Sequence, residues 1–225
     1  MNTWGPVPVP AGCPTCRSPR VARLVKGQQG ITPELVRALN DGRAILRGDP
    51  TTQDSPRWQC VACGHRWGRD EPLKAVGFWR PNADWDDWWA PSELPDPHWL
   101  VRRGWRLRER RRILAYLRSG HRFEAYAGWS YCRFWLCPPT WPSRLGDSDL
   151  TDGQWVWPQG LAHYIERHWV CLPEEFADTM RSNSWRVPPW EELAMAQARG
   201  QPYDLSFWVA WSHRQQKQPW WFMFW

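Results

Sequence analysis

Two periods of apolar and polar residues run through this chain, and the switches between them outline its elements. Thr32, Pro33 and Glu34 read as a helix start: a capping hydroxyl, a proline at the first helical position and an acid in the first turn. Gly42 stands where such a helix stops, which predicts a short helix over 33–40. Around the polar loop GDPTTQDSP, residues 43–46 and 57–61 read as strands. Residues 105–119 predict a helix closed by Gly120, and the Asp152-Gly153 turn leads into a strand over 154–157. Pro158 is placed as for a helix start, 161–168 is predicted helical, and a further helix begins at Pro173. Residues 73–100 carry neither period. Rich in Pro, Asp and Trp, they predict a linker, and Trp79, Trp85, Trp88, Trp89 and Trp99 would expose too much apolar surface unless it packs on a neighbouring domain.

These elements predict an α+β chain of two small zinc-stabilised modules. The first, over 1–72, is a zinc ribbon with an inserted helix; after the linker 73–100, residues 101–180 form a hairpin-helix module, followed by a Trp-rich extension over 181–225. Composition permits a real core: 42% of the 225 residues are hydrophobic, and the mean hydropathy of -0.69 is low partly because 22 of them are tryptophan, whose indole is a large apolar surface with one polar N–H. No run approaches the length of a membrane span and the N-terminus lacks a basic and an apolar signal region, so a cytoplasmic chain away from membranes is expected. In a reducing compartment, seven cysteines, an odd number, read as metal ligands or core thiols and not as a disulfide framework.

Cys13-Pro-Thr-Cys16 and Cys60-Val-Ala-Cys63 are two C-x2-C hooks separated by 43 residues. Two hooks complete a tetrahedron of thiolates, the closed set preferred by structural zinc; buried thiols without metal, or iron, are the competing readings. His65 is a possible substitute ligand, though a surface or supporting histidine suits it better. CPTCRSP, ITPELVRAL, DGRAILRGDP and RWQCVACGHRW resemble the motifs of uncharacterised bacterial zinc-ribbon proteins over about residues 13–67. The resemblance implies a ribbon fold, and this chain departs from it in two places: Arg17 replaces a glycine, and Arg47-Gly48-Asp49 stands where relatives carry a further cysteine.

A second set is more widely spaced. Cys132 and Cys137 form C-x4-C, and 25 residues later His163 and His168 form H-x4-H, a mixed thiolate and imidazole set that also suits structural zinc. Residues five apart on a helix differ by about 140° in azimuth, so the histidines converge only if the helix ends at His168 and its last turn opens. Cys171 is a substitute for His168, and core thiols with merely polar histidines are the alternative. TDGQWVWPQGLAHYIERHWVCLPEEF resembles an uncharacterised bacterial module with the words TDG, WPEGLAHY, a second His and LPxEF; the departures are Gln159 for Glu and the loosened cysteine pair. That module implies no activity. Trp67, Trp129, Trp155 and Trp157 are expected to seal the two sites. No metalloprotease, phosphate-loop or nucleophile-elbow word is present, which leaves a zinc hydrolase as the weakest class.

The net charge of +6 is concentrated in RRGWRLRERRR, which holds seven arginines and one glutamate over 102–112. Its apolar face begins only at Ile113, so Arg102, Arg103, Arg106, Arg108, Arg110, Arg111 and Arg112 fit a segment contacted by phosphates, with Trp99 and Trp105 available for stacking on bases. The competing reading is internal: pairing with Asp84, Asp86 and Asp87, and cation–π contacts with tryptophans. PWWFMFW at the C-terminus is too short to span a bilayer and would dock on the domain or on a second chain. A nucleic-acid-associated accessory protein leads, with a protein-partner adaptor as the alternative.

Overall fold

A computed structural model describes residues 9–26, 33–47, 56–69, 72–80, 93–134, 137, 145–189 and 203–216. Trp85, Trp88, Trp89, Asp84, Asp86, Asp87 and the C-terminal PWWFMFW lie outside them. The architecture is mixed, with two sheets and five α-helices among the described residues, and the chain divides into two compact units, Met1–Leu73 with Pro189–Tyr203 and Lys74–Pro188 with Asp204–Trp225.

The first unit contains β1 (Val21–Lys26), α1 (Pro33–Asn40), β2 (Ala44–Arg47), β3 (Pro56–Cys60) and β4 (Arg66–Arg69), with sheet order β2-β1-β3-β4. β1 and β2 are parallel, so a crossover must join them, and α1 supplies it. The helix begins and ends where its proline and Gly42 predict; at φ 68° Gly42 adopts the left-handed turn that closes it. Leu35 and Ala38 bury against Val25 and Ala44. β3 runs antiparallel to β1 with Cys60 opposite Val21, and turns back into β4.

The second unit contains a 3-10 turn (Pro97–Leu100), α2 (Arg110–Arg118), β6 (His121–Ala125), β7 (Ser148–Thr151), β8 (Trp155–Pro158), α3 (Leu161–His168), α4 (Glu174–Ser182) and α5 (Ser206–Gln216), with β5 (Leu73–Ala75) and β9 (Tyr203–Asp204) at its two boundaries in the chain. The sheet order is β6-β7-β8-β5-β9, with α2 packed on α3 and α4. Residues 74–80 and 93–100, from the segment expected as a linker, belong to this unit. β5 pairs in parallel with β8, Val76, Leu94 and Leu100 are buried, and Trp79 packs against Tyr164 and Trp208. Large aromatics fill the core, three of them with the indole N–H satisfied: Trp157 donates to Leu117 O (3.1 Å), Trp155 to Thr179 Oγ1 (3.0 Å) and Trp208 to Phe78 O (2.7 Å), whereas the buried N–H of Trp79 has no partner among the described residues. Trp155 and Trp157 are therefore core residues and do not seal a metal site.

Two element boundaries differ from expectation. The helix predicted from 105 starts only at Arg110, because Gly104 (φ 80°) and Arg106 (φ 49°) turn the chain out of helical space and no apolar face exists before Ile113 to hold a helix down. Pro158 ends β8 instead of starting α3; its missing N–H is harmless at a strand end, and Gly160 precedes the helix. Gly120 does close α2, and for a packing reason: a Cβ there would lie 2.6 Å from the Trp157 ring and 2.8 Å from Leu150 Cβ.

Candidate metal centres and the arginine surface

The 43-residue gap between the hooks is closed by the sheet. Pairing of β1 with β3 sets Cys60 across from Val21, and Val61 N donates to Arg20 O at 2.9 Å, so the second hook is held against the chain that leaves the first. Both hooks turn alike. Arg17 N donates to Cys13 O and Gly64 N to Cys60 O, each at 2.9 Å, with left-handed φ of 61° at Arg17 and 73° at Gly64. The glycine takes that conformation without strain and the arginine does not.

Four sulfurs then converge, with Cys13 Sγ 3.7 Å from Cys63 Sγ and Cys16 Sγ 3.5 Å from Cys60 Sγ. These are far beyond a disulfide bond of about 2.05 Å. They match the edge of a tetrahedron with metal–sulfur bonds of about 2.3 Å, which is about 3.8 Å. Cys13 and Cys60 are buried, Cys16 and Cys63 exposed. Burial opposes the Cys13 thiolate, but the N–H groups of Cys16 and Thr15 and the neighbouring thiols outweigh it and bring this thiol down to about 6. Burial is likewise outweighed at Cys60, chiefly by the Cys63 N–H and the Cys16 thiol. Cys63 is pushed up to about 12: the His65 N–H favours its thiolate, but crowding by Cys16, burial and the other thiols prevail. Four thiols this close cannot all ionise alike, because each thiolate raises the cost of the next. His65 is exposed and stacks on Trp67 at 5.7 Å between centroids, outside the sulfur cluster.

In the second unit Cys132 and Cys137 lie in the long connection between antiparallel β6 and β7, while α3 carries both histidines. The helix ends at His168, as convergence required, because Trp169 turns left-handed (φ 57°). His168 Nε2 lies 3.2 Å from both Cys132 Sγ and His163 Nε2, and Cys137 Sγ lies 3.5 Å from His163 Nε2. For metal–nitrogen bonds of about 2.0–2.1 Å and metal–sulfur bonds of about 2.3 Å, tetrahedral edges are about 3.4 and about 3.6 Å. Burial first, then the charges of His163, His98 and Arg167, lowers His168 to about 4, and burial also lowers His163, so both imidazoles keep the neutral form that ligates metal. Burial raises Cys132 to about 12. Among the described residues these two sets are the Cys/His groups able to hold a metal ion, each with ligand atoms within 4.8 Å of one another.

Cys171, the substitute ligand, stands outside the set. Val170 bridges to Val101 and Cys171 N donates to Leu100 O, which turns the thiol into the core, where burial raises it to about 11. Three supporting residues escape a reading of ligand spacing alone. Tyr164 accepts from Arg133 N (3.1 Å) and so pins the cysteine loop; Phe134 stacks flat on His168 at 3.9 Å; Trp169 ends the helix. Tyr164 and Trp169 each adjoin a ligand histidine in sequence, the one signal that could have pointed to them.

The arginine segment divides in two. Arg102 donates to Val101 O (2.8 Å) and to Gln215 O (3.3 Å); Arg106 pairs with Glu109 (2.9 Å) and Glu174; Arg110 donates to Ile165 O (3.1 Å) and to Glu166 O and lies over the Trp169 ring at 3.9 Å. Glu109, the one acid of the segment, is also held by Arg181 at 3.0 Å. These three arginines are internal braces, to partners other than the expected aspartates. Arg103, Arg108, Arg111 and Arg112 are exposed, and their side chains make no hydrogen bond or ion pair with a described residue. Trp99 and Trp105 pack against the core instead of standing free for bases, whereas Trp129 is 49% exposed.

No family model, curated protein or solved structure matches this chain. No described helix is long and apolar enough to cross a membrane.

Proposed function

We propose that this chain is a two-site zinc protein that acts by binding, and that its partner is nucleic acid engaged through Arg103, Arg108, Arg111 and Arg112. The observation that carries the reading is that both ligand sets are complete: four protein ligands at tetrahedral spacing leave no open position for a metal-activated water, which a zinc hydrolase needs. Four thiolates, or two thiolates with two imidazoles, are the ligand sets of structural zinc, in keeping with the ribbon-like motifs of the first unit. The arginine surface supports the partner. Glu109 is already engaged by Arg106 and Arg181, so the four exposed guanidinium groups have no carboxylate of their own among the described residues. Guanidinium forks of this kind bind phosphate bidentately.

Elemental analysis of the purified full chain should give about two zinc per chain, one for each closed set. Binding to labelled single-stranded and duplex oligonucleotides across a salt series should fall steeply on a log–log plot. Changing the four exposed arginines to Gln should flatten that slope by about 3 to 4 units, at roughly 0.9 per lost duplex contact. Affinity without salt dependence, unchanged in the quadruple variant, would favour a protein-partner adaptor instead.

A further inference from the structure

The exposed arginines sit on a segment fastened to α4 through Arg106–Glu174 and Glu109–Arg181 and, at both ends of its turn, to the end of α3, which carries the second metal centre. His168 is both a ligand and the last residue of α3. The residue after it, Trp169, accepts from Arg102 N through its carbonyl (2.8 Å) and lies under the Arg110 guanidinium through its ring (3.9 Å). Arg110 also takes the carbonyls of Ile165 and Glu166, which the end of the helix leaves without helical partners. Both ends of the 102–110 turn are therefore seated on the last turn of α3, and Val101 bridges to Val170 just beyond it.

That seat needs a clamp. α3 has eight residues, too few to hold a helix by itself, and it ends in a left-handed tryptophan, a conformation that persists only when its surroundings hold it. His163 and His168 lie in the first and last turns, so a metal bound to both ties the helix end to end and to the Cys132–Cys137 loop.

We propose that metal in the Cys132, Cys137, His163 and His168 site controls nucleic-acid binding by the arginine surface, because the occupied site fixes the helix turn on which Arg102 and Arg110 are seated. The proposal rests on the nucleic-acid reading above. It assigns the second metal a regulatory effect: the turn that carries Arg103 and Arg108 and leads into Arg111 and Arg112 is held when the site is filled and loosened when it is empty.

The test compares the zinc-loaded full chain with the double variant Cys137→Ser/His163→Ala, using single-stranded and duplex oligonucleotides across a salt series. The variant should retain about one zinc, bind at least about tenfold more weakly, and show the flattened salt slope of the quadruple arginine variant. Amide hydrogen exchange provides a second measurement that does not depend on the ligand. Chelating the second metal should speed exchange at Arg102 and Val170 while Val156 and Trp157 in the sheet stay protected; loss of that sheet protection along with the rest would mean global unfolding and would count against a local clamp. A variant that has lost its second zinc yet binds with the parent's affinity and slope overturns the coupling alone. Failure of the zinc-loaded parent to bind either probe overturns the nucleic-acid reading beneath it, and unchanged exchange at Arg102 then disposes of the clamp as well.

Discussion

Arg17 and Gly64 occupy the same place in the two hooks, and only one of them suits it. Left-handed backbone costs an ordinary residue about 1 kcal/mol or more, and glycine almost nothing. Arg17 is exposed, so removing its side chain sacrifices no packing. Arg17→Gly should stabilise the first unit by about 0.5–1 kcal/mol, part of the gain being returned through the freer unfolded chain, while Gly64→Ala should destabilise it by a similar amount; denaturant titration of the metal-loaded protein reads both. Asp149 offers a second test at this scale. Burial raises its carboxyl from the ordinary 3.8 to about 6, against a 2.6 Å hydrogen bond from the Tyr126 hydroxyl and with Glu124 adding to the rise. Between these two values the folded chain holds a proton that the unfolded chain has released, so this group removes stability as pH climbs toward 6 and the loss is complete above it. Asp149→Asn keeps an acceptor for Tyr126 and abolishes the charge. The variant should exceed the parent by about 2–3 kcal/mol near pH 7.5, with the advantage shrinking as pH falls toward about 5. Both proteins carry the same metal ligands, so the difference between their unfolding curves isolates Asp149; a constant gap would show that its ionisation is not what limits stability.

At the scale of elements, the two metal sets are assembled by different means. Sheet pairing brings the first together, since β1 and β3 lie side by side whatever the length of the chain that joins them. A helix terminus brings the second together, since α3 must stop at His168 for its imidazoles to meet. Close approach of elements also governs the end of α2, where the helix, the Trp157 ring and Leu150 all meet at Gly120. A methyl group there has no room unless the indole shifts, and the indole is tied by its N–H to Leu117 O. Gly120→Ala should cost about 1–3 kcal/mol by overpacking, even though alanine is the better helix former. Thermal unfolding would check it, and a neutral outcome would mean that the sheet yields locally.

For the molecule as a whole, the ligands of each set come from a single unit, so each unit should depend on its own metal. Structural metal binding is largely folding free energy in small modules. Cys60→Ser should therefore cost one zinc and unfold the first unit, while the second keeps its near-ultraviolet tryptophan signal and its own unfolding transition. Metal analysis together with two-probe thermal unfolding reads this. Simultaneous collapse of both units would show that they fold as one.

The two candidate ligand sets were legible in the amino-acid sequence because metal chemistry constrains residue type and short spacing: two C-x2-C hooks and a paired Cys/His set can be counted without a fold. So were α1, where proline, glycine and apolar period agree, the span of α3 from its apolar period though not from Pro158, and the start of α4 at its proline. The fate of the arginines was not. Seven similar side chains within eleven residues carry no mark of which will find a carboxylate or a carbonyl, and that is decided by Glu109, Glu174 and the end of α3, distant in sequence or indifferent in composition. Nor could period reveal that residues 73–75 form a strand inside the second sheet, because three residues are too few to display alternation and the hydrogen-bonding partner, β8, lies far along the chain. Sequence determines what can coordinate and what can curl; the burial of one surface against another decides which charges are used up holding the fold and which are left to meet a partner.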